Sequence, residues 1–126
     1  LVHALPIFHV HGLFVASQSG SMIGALMSRG QARGLGFSTL VSVGAEVDLD
    51  VGAVGMAALV DGRTEAVLLF LETLRGAESL RHFAREAAQR GVPVAAYKLG
   101  RSAEAAELAQ SHTGALAGED DLASAF

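Results

Sequence analysis

Three short stretches carry residue types that can bind or move an anion. The first is Ser17-Gln18-Ser19-Gly20-Ser21, where an apolar run gives way to a helical pattern. A strand-to-helix turn of this composition leaves the first backbone N–H groups of the helix without intrahelical partners. Those groups, together with serine hydroxyls, make an anion site, although the same residues also serve as an ordinary helix cap. The second stretch is Ser111-His112-Thr113-Gly114, a histidine in a polar turn between two helical segments. Such an imidazole is a nucleophile, an acid/base or a surface-loop residue. The third is Glu72, an acid at the end of an otherwise apolar strand. It is either a solvated strand end or a carboxylate that orients an imidazole and fixes its tautomer. Elsewhere, His9 and His11 are two apart and share one face of an extended segment. A competent metal site takes three or four ligands and His3 does not complete one, so no metal is expected. His82, flanked by Glu78 and Glu86 at i−4 and i+4, reads as a solvated surface residue.

The elements that must position these residues alternate in period. Apolar strands are predicted at 13–17, 35–43, 65–71 and 92–99, and helices at 19–33, 51–60 and 77–90. In the first helix Met22, Ile23, Leu26 and Met27 share a face. In the third, Leu80, Phe83, Ala84 and Ala87 fall at i, i+3, i+4 and i+7, and Gly91 ends the pattern. Ser102 is a plausible N-cap for a further helix towards Gln110, and Glu119-Asp120-Asp121-Leu122 starts another. Strands buried on both faces and separated by helices imply a parallel sheet. Right-handed crossovers then give a three-layer α/β/α sandwich, flavodoxin-like or Rossmann-like, with a parallel sheet of about four strands. In such sheets ligands bind at the carboxyl ends of the strands. There the chain places Ser17 to Ser21, then Gly44-Ala45-Glu46, then Glu72, then Lys98-Leu99-Gly100-Arg101-Ser102.

Composition narrows the classes. The 126 residues suit one domain, and a 51% hydrophobic content is ample for a core. With no cysteine, disulfides, Cys-ligated zinc and thiol nucleophiles are excluded. A formal charge of −4, one lysine and scattered arginines argue against a nucleic-acid partner. No run approaches the ~20 apolar residues of a membrane span, and the opening stretch lacks the positive region of a signal peptide, so a cytoplasmic location is expected.

Taken in order, Ser17-Gln18-Ser19-Gly20, Gly36-Phe37-Ser38, Val41-Ser42-Val43-Gly44, Leu71-Glu72, Lys98 to Ser102 and Ser111-His112-Thr113-Gly114-Ala115-Leu116-Ala117-Gly118 resemble one domain. It is the succinyl-CoA-ligase-like flavodoxin domain of the NDP-forming acyl-CoA synthetases, and the resemblance covers about residues 13–126. It implies that His112 carries a phosphoryl group between two active sites, that Glu72 holds its imidazole, and that Ser17, Gln18, Ser19, Gly20 and Ser21 cradle the phosphate with Thr113 and Gly114. It implies no tightly bound cofactor, with CoA, ATP/ADP and Mg used by the full enzyme. Its implied partners are a nucleotide-grasp domain or subunit, a CoA-binding domain and a small carboxylic acid. The chain alone is then not expected to turn over as a ligase. The other reading is a non-catalytic CoA- or partner-binding module, or a recombined fragment of this fold.

Residues 1–12 depart from that family's pattern. Residues 1–16, LVHALPIFHVHGLFVA, resemble instead a segment of malonyl-CoA synthetase and its relatives among the adenylate-forming ligases. At the other end, the chain is expected to stop before a last strand. The uncovered edge would then favour a homodimer or a partner-bound chain.

Overall fold

A computed structural model describes residues 12–99 of the chain. Seven elements follow one another: β1 (Leu13–Ser17), α1 (Gly20–Ala32), β2 (Phe37–Ser42), α2 (Val51–Asp61), β3 (Ala66–Leu71), α3 (Ala77–Gln89) and β4 (Val94–Lys98). Six lie within the stretches the sequence pattern assigns and α2 runs one residue past its own, with every boundary within two residues. The helix expected from Ser102 and the one starting at Glu119 lie outside the described residues.

The four strands form one sheet in the order β2-β1-β3-β4, and every pairing is parallel. This is the flavodoxin-like order, with β1 between β2 and β3, and it decides between the two topologies left open by the sequence. The chain leaves β1 towards one edge and returns across it to β3. The direction therefore reverses between β1 and β3, which is where such sheets open a crevice at their carboxyl ends. Right-handed crossovers put α1 on one face of the sheet and α2 with α3 on the other.

The main core is on the α2/α3 side. Phe14 and Ala16 of β1 and Val67, Leu69 and Leu71 of β3 pack there against Val51, Ala58 and Leu59 of α2 and Leu80, Phe83 and Ala87 of α3. Period-two alternation sends Val15 and Leu68, opposite each other in the register, to the other face. The four apolar positions expected on α3 are all buried. On α1, Met22, Ile23 and Leu26 are half-buried but Met27 is exposed, and Gly30 is the helix's buried residue.

Local chemistry sets the ends of the helices. Asp50 caps α2, its side chain accepting from the N–H of Ala53 at 2.7 Å. Beyond α3, Gly91 turns left-handed at φ 67°, its N–H reaching the carbonyl of Ala88, while that of Val92 reaches Ala87. That double return satisfies carbonyls which a helix end otherwise leaves open, and glycine takes the left-handed turn at no steric cost. Among the described residues, no helix is long and apolar enough to cross a membrane.

The α2–α3 seam is close because α2 presents two glycines to α3. A Cβ on Gly55 would lie 2.7 Å from the Phe83 ring, and one on Gly52 would lie 2.6 Å from the backbone nitrogen of Leu80. Alanine ordinarily gains up to ~1 kcal/mol over glycine in a helix, but overpacking a tight core costs about 1–3 kcal/mol. Gly52→Ala, which meets backbone, is expected to lose more stability than Gly55→Ala, which meets a ring, and both to lose about 1–2 kcal/mol net. Urea unfolding of the two variants checks this; a stabilised Gly52→Ala would contradict it.

Candidate functional site

The loops after β1, β2 and β3 meet at the carboxyl edge of the sheet. Ser17, the last residue of β1, is fully buried, and its hydroxyl closes the turn on itself. It donates to the carbonyl of Ser19 at 2.8 Å and accepts from the N–H of Ser19 at 3.0 Å. Ser19 is the N-cap of α1, yet its side chain makes no capping bond. Its hydroxyl lies 3.1 Å from that of Ser21 instead. Gly20 and Ser21 are exposed. The α1 N-terminus therefore presents its first N–H groups without a side-chain cap, beside two hydroxyls, and no acid occupies its first turn. An anion placed there meets donors and the positive end of the helix dipole.

Gln18 behaves differently from its neighbours. It is 7% exposed, and its side chain turns inward across the seam between β1 and β3. Its Oε1 accepts from the N–H groups of Glu72 at 2.5 Å and Thr73 at 2.8 Å. Its Nε2 donates to the carbonyl of Thr73 at 2.8 Å and to the carboxylate of Glu46. A primary amide has two donors and a two-lone-pair acceptor, so all four positions are used. Its own N–H is bonded to the carbonyl of Phe70. The side chain expected to help hold phosphate is thus engaged with protein.

Glu72 sits at the end of β3 with 3% of its surface exposed, so it is not a solvated strand end. The structure brings it together with Ser17 to Ser21 through the Gln18 amide. The carbonyl of Leu71 before it accepts from the N–H of Leu99, which ties the β4 end to the same place. His112, Thr113 and Gly114 lie outside the described residues, as do His3, His9 and His11. His82 is exposed. Among the described residues no cluster of three His, Asp or Glu side chains is placed to hold a metal.

Sequence reasoning put Glu46 on the right edge and gave it no role. Among the described residues it is the non-glycine residue with positive φ, at 55°. Its carboxylate serves two partners, one oxygen accepting from Gln18 and the other from the N–H of Val51 at 2.9 Å. Val51 is the first residue of α2, so this bond fills a donor that the helix leaves open. Burial raises the Glu46 pKa above its usual value, assisted by the nearby Asp50 charge and opposed by the two hydrogen bonds and by Arg75. Thr73, 7% exposed, was missed as well. Both belong to contacts 28 and 55 residues apart in sequence, which no local pattern reports.

Comparison with known proteins agrees with this architecture. Residues 11–126 match the family described as the succinyl-CoA ligase like flavodoxin domain. The chain is 36% identical over 109 residues to the ADP-forming 4-hydroxybutyrate–CoA ligase of Nitrosopumilus maritimus, covering 86% of this chain and 16% of that protein. It is 35% identical over 113 residues to the alpha subunit of ADP-forming acetate–CoA ligase I of Pyrococcus furiosus, covering 90% and 24%. Among solved structures it resembles the dinucleotide-forming acetyl-coenzyme A synthetase 1 of Ca. Korarchaeum cryptofilum, in complex with phosphate and ADP. That match has a TM-score of 0.82 at 30% identity and covers 94% of this chain and 26% of that one. The chain thus spans about a quarter or less of the length of these relatives.

The two-way contact of Glu46 makes a near-isosteric change costly. In Glu46→Gln, either Gln18 or the Val51 N–H faces an NH2 group instead of an acceptor. An unsatisfied buried donor costs about 1–3 kcal/mol, so the variant is expected to lose stability in that range although it removes a partly buried charge. Chemical denaturation at neutral pH measures it; a variant as stable as the parent would show that the carboxylate is not shared this way.

Proposed function

This chain belongs to the succinyl-CoA-ligase-like flavodoxin domain family, and from that membership we propose that it is the phosphohistidine-carrying domain of an NDP-forming acid–CoA ligase. The net reaction is acyl-CoA, ADP and phosphate to acid, CoA and ATP. The supporting relatives are named as ADP-forming CoA ligases, one of them an alpha subunit. The observation that carries the reading is the buried Glu72 held beside the uncapped start of α1.

In this reading a neutral His112 nitrogen attacks the phosphorus of an acyl phosphate. The N–P bond forms as the P–O bond to the acyl oxygen breaks, and the carboxylate leaves with the electron pair. Phosphoryl transfer is governed by positioning and by stabilisation of charge on the equatorial oxygens. The N–H groups of Gly20 and Ser21 and the hydroxyls of Ser19 and Ser21 supply donors, with Thr113 and Gly114 completing the cradle. Ser17 shapes the turn. Glu72 accepts from the second imidazole nitrogen and fixes the tautomer that attacks. The phosphoryl group then passes from His112 to ADP on a nucleotide-grasp domain, with the bond order reversed and Mg accompanying the nucleotide. The acyl phosphate itself arises at the CoA-binding domain, where an oxygen of inorganic phosphate attacks the acyl-CoA thioester carbon and the C–S bond breaks, CoA leaving as the thiolate. Turnover of the whole ligase therefore needs both neighbours, and acyl-CoA formation by this chain alone is not expected.

The test is phosphorylation of the chain by Mg-ATP with a nucleotide-grasp domain of the family. Intact mass and phosphorus NMR should report one acid-labile, base-stable N-linked phosphate on the parent and none on His112→Ala. Glu72→Gln should take phosphate about 10–100-fold more slowly, the usual cost of losing a residue that orients a histidine. An equal label on His112→Ala would remove the assignment, and a parent that takes no phosphate would favour the binding module.

A further inference from the structure

Gln18 lies in the turn that starts the phosphate cradle, but its side chain faces away from the α1 terminus. We infer that Gln18, held in one orientation by its partners after β2 and β3, is the positioning residue for Glu72. This rests on the phosphohistidine reading for its consequence in the reaction, but its geometry stands on the hydrogen bonds alone.

The orientation of the Gln18 amide is fixed by its partners. Its Oε1 meets two N–H groups, those of Glu72 and Thr73, and its Nε2 meets two acceptors, the Thr73 carbonyl and the Glu46 carboxylate. A flipped amide would set donors against both N–H groups and an oxygen against both acceptors. Of the four partners, only Glu46 belongs to another side chain. The main-chain partners set the O and NH2 ends by donor and acceptor, and Glu46 adds a charged acceptor at the NH2 end, to which hydrogen bonds are about twice as strong as neutral ones. The amide therefore joins the loops after β1, β2 and β3 at the point where the sheet order reverses.

Glu72 has its main chain pinned at the N–H by Gln18, and its neighbours are pinned on both sides. The Leu71 carbonyl accepts from Leu99, while Thr73 bonds Gln18 through both its N–H and its carbonyl. With the backbone fixed at three consecutive residues, the Glu72 carboxylate starts from a set place. A misplacement of about 1 Å in such a group can cost as much as 10²-fold in rate. The same amide links this residue to the first turn of α1, so the carboxylate and the cradle keep one mutual distance.

The chemistry allows a reciprocal exchange. Gln18→Glu keeps the acceptor for Glu72 and Thr73 but turns the donor into a second acceptor facing Glu46. Adding Glu46→Gln supplies that donor from the other side while its Oε1 still receives the Val51 N–H. The double variant repairs the contact with residue 46 but leaves a carboxylate oxygen facing the Thr73 carbonyl. The experiment measures phosphorylation rates of the full chain with Mg-ATP and the nucleotide-grasp domain, alongside amide exchange at Glu72 and Thr73. Gln18→Glu should be slowed by about tenfold or more, in maximal rate and not in the half-saturating partner concentration. The double variant should recover part of that loss, at least severalfold in rate. In a Glu72→Gln background, Gln18→Glu should add little, because two residues acting through one group are not additive. Additive losses, or a double variant no faster than Gln18→Glu, overturn the inference. A parent that takes no phosphate overturns the phosphohistidine reading instead. The clamp is then judged on exchange alone: faster exchange in Gln18→Glu, restored by the double variant, supports it, and unchanged exchange ends it.

Discussion

One primary amide organises the working edge of this domain. The Gln18 side chain satisfies two N–H groups and a carbonyl after β3 and meets a carboxylate after β2, with all of its capacity used and almost none of its surface in water. Loops at a sheet edge carry main-chain polar groups that cannot be left buried and bare. In a flavodoxin-like order the crevice between β1 and β3 is where that problem is greatest, because the neighbouring loops diverge there. Filling the seam with an amide solves it and leaves the α1 terminus, just beside it, open to an anion.

The rest of the fold supports that arrangement by being densely packed on one side. β1 and β3 are sandwiched in the centre of the sheet, and the packing of α2 and α3 against them removes almost all the aromatic and branched side chains of that face from water. Gly52 and Gly55 let the two helices approach until Ser79 of α3 donates to Asp50, the cap of α2, at 2.7 Å. That cap also fixes where α2 starts, and Glu46 bonds the first N–H of the same helix. The acid that bonds Gln18 is thus anchored to the best-packed pair of helices in the described structure.

Much of this was legible in the sequence. Strands such as LFVAS and AVLLFL, apolar on both faces and separated by helical periods, dictate a parallel sheet, and the α3 pattern of Leu80, Phe83, Ala84 and Ala87 is buried as written. Local periodicity could not choose the strand order, since the first three strands fit either topology until pairing is known. It placed Glu72 at the edge but could not tell a wet strand end from a buried one; the burial comes from loops distant in sequence. Gln18 read as one more polar residue of an anion-binding turn. Its inward orientation comes from the main chain of Glu72 and Thr73 and from Glu46, and none of these long-range partners leaves a mark in the local pattern of residue types.

The contrast between the two faces has a consequence for how such a sequence can change. Among the described residues, α1 touches the sheet along a narrow strip, with Gly30 against Phe37 and with Met22, Ile23 and Leu26 half-covered, and most of its other positions are left uncovered. Exposed helix positions away from caps and contacts tolerate substitution within about 0.5 kcal/mol. Within the described residues the outer face of α1 is therefore under less packing constraint than the seam of α2 and α3, which can accept a larger side chain on one helix only when the other gives up volume. Divergence in this domain should be read as single changes along α1 and as paired changes across α2 and α3.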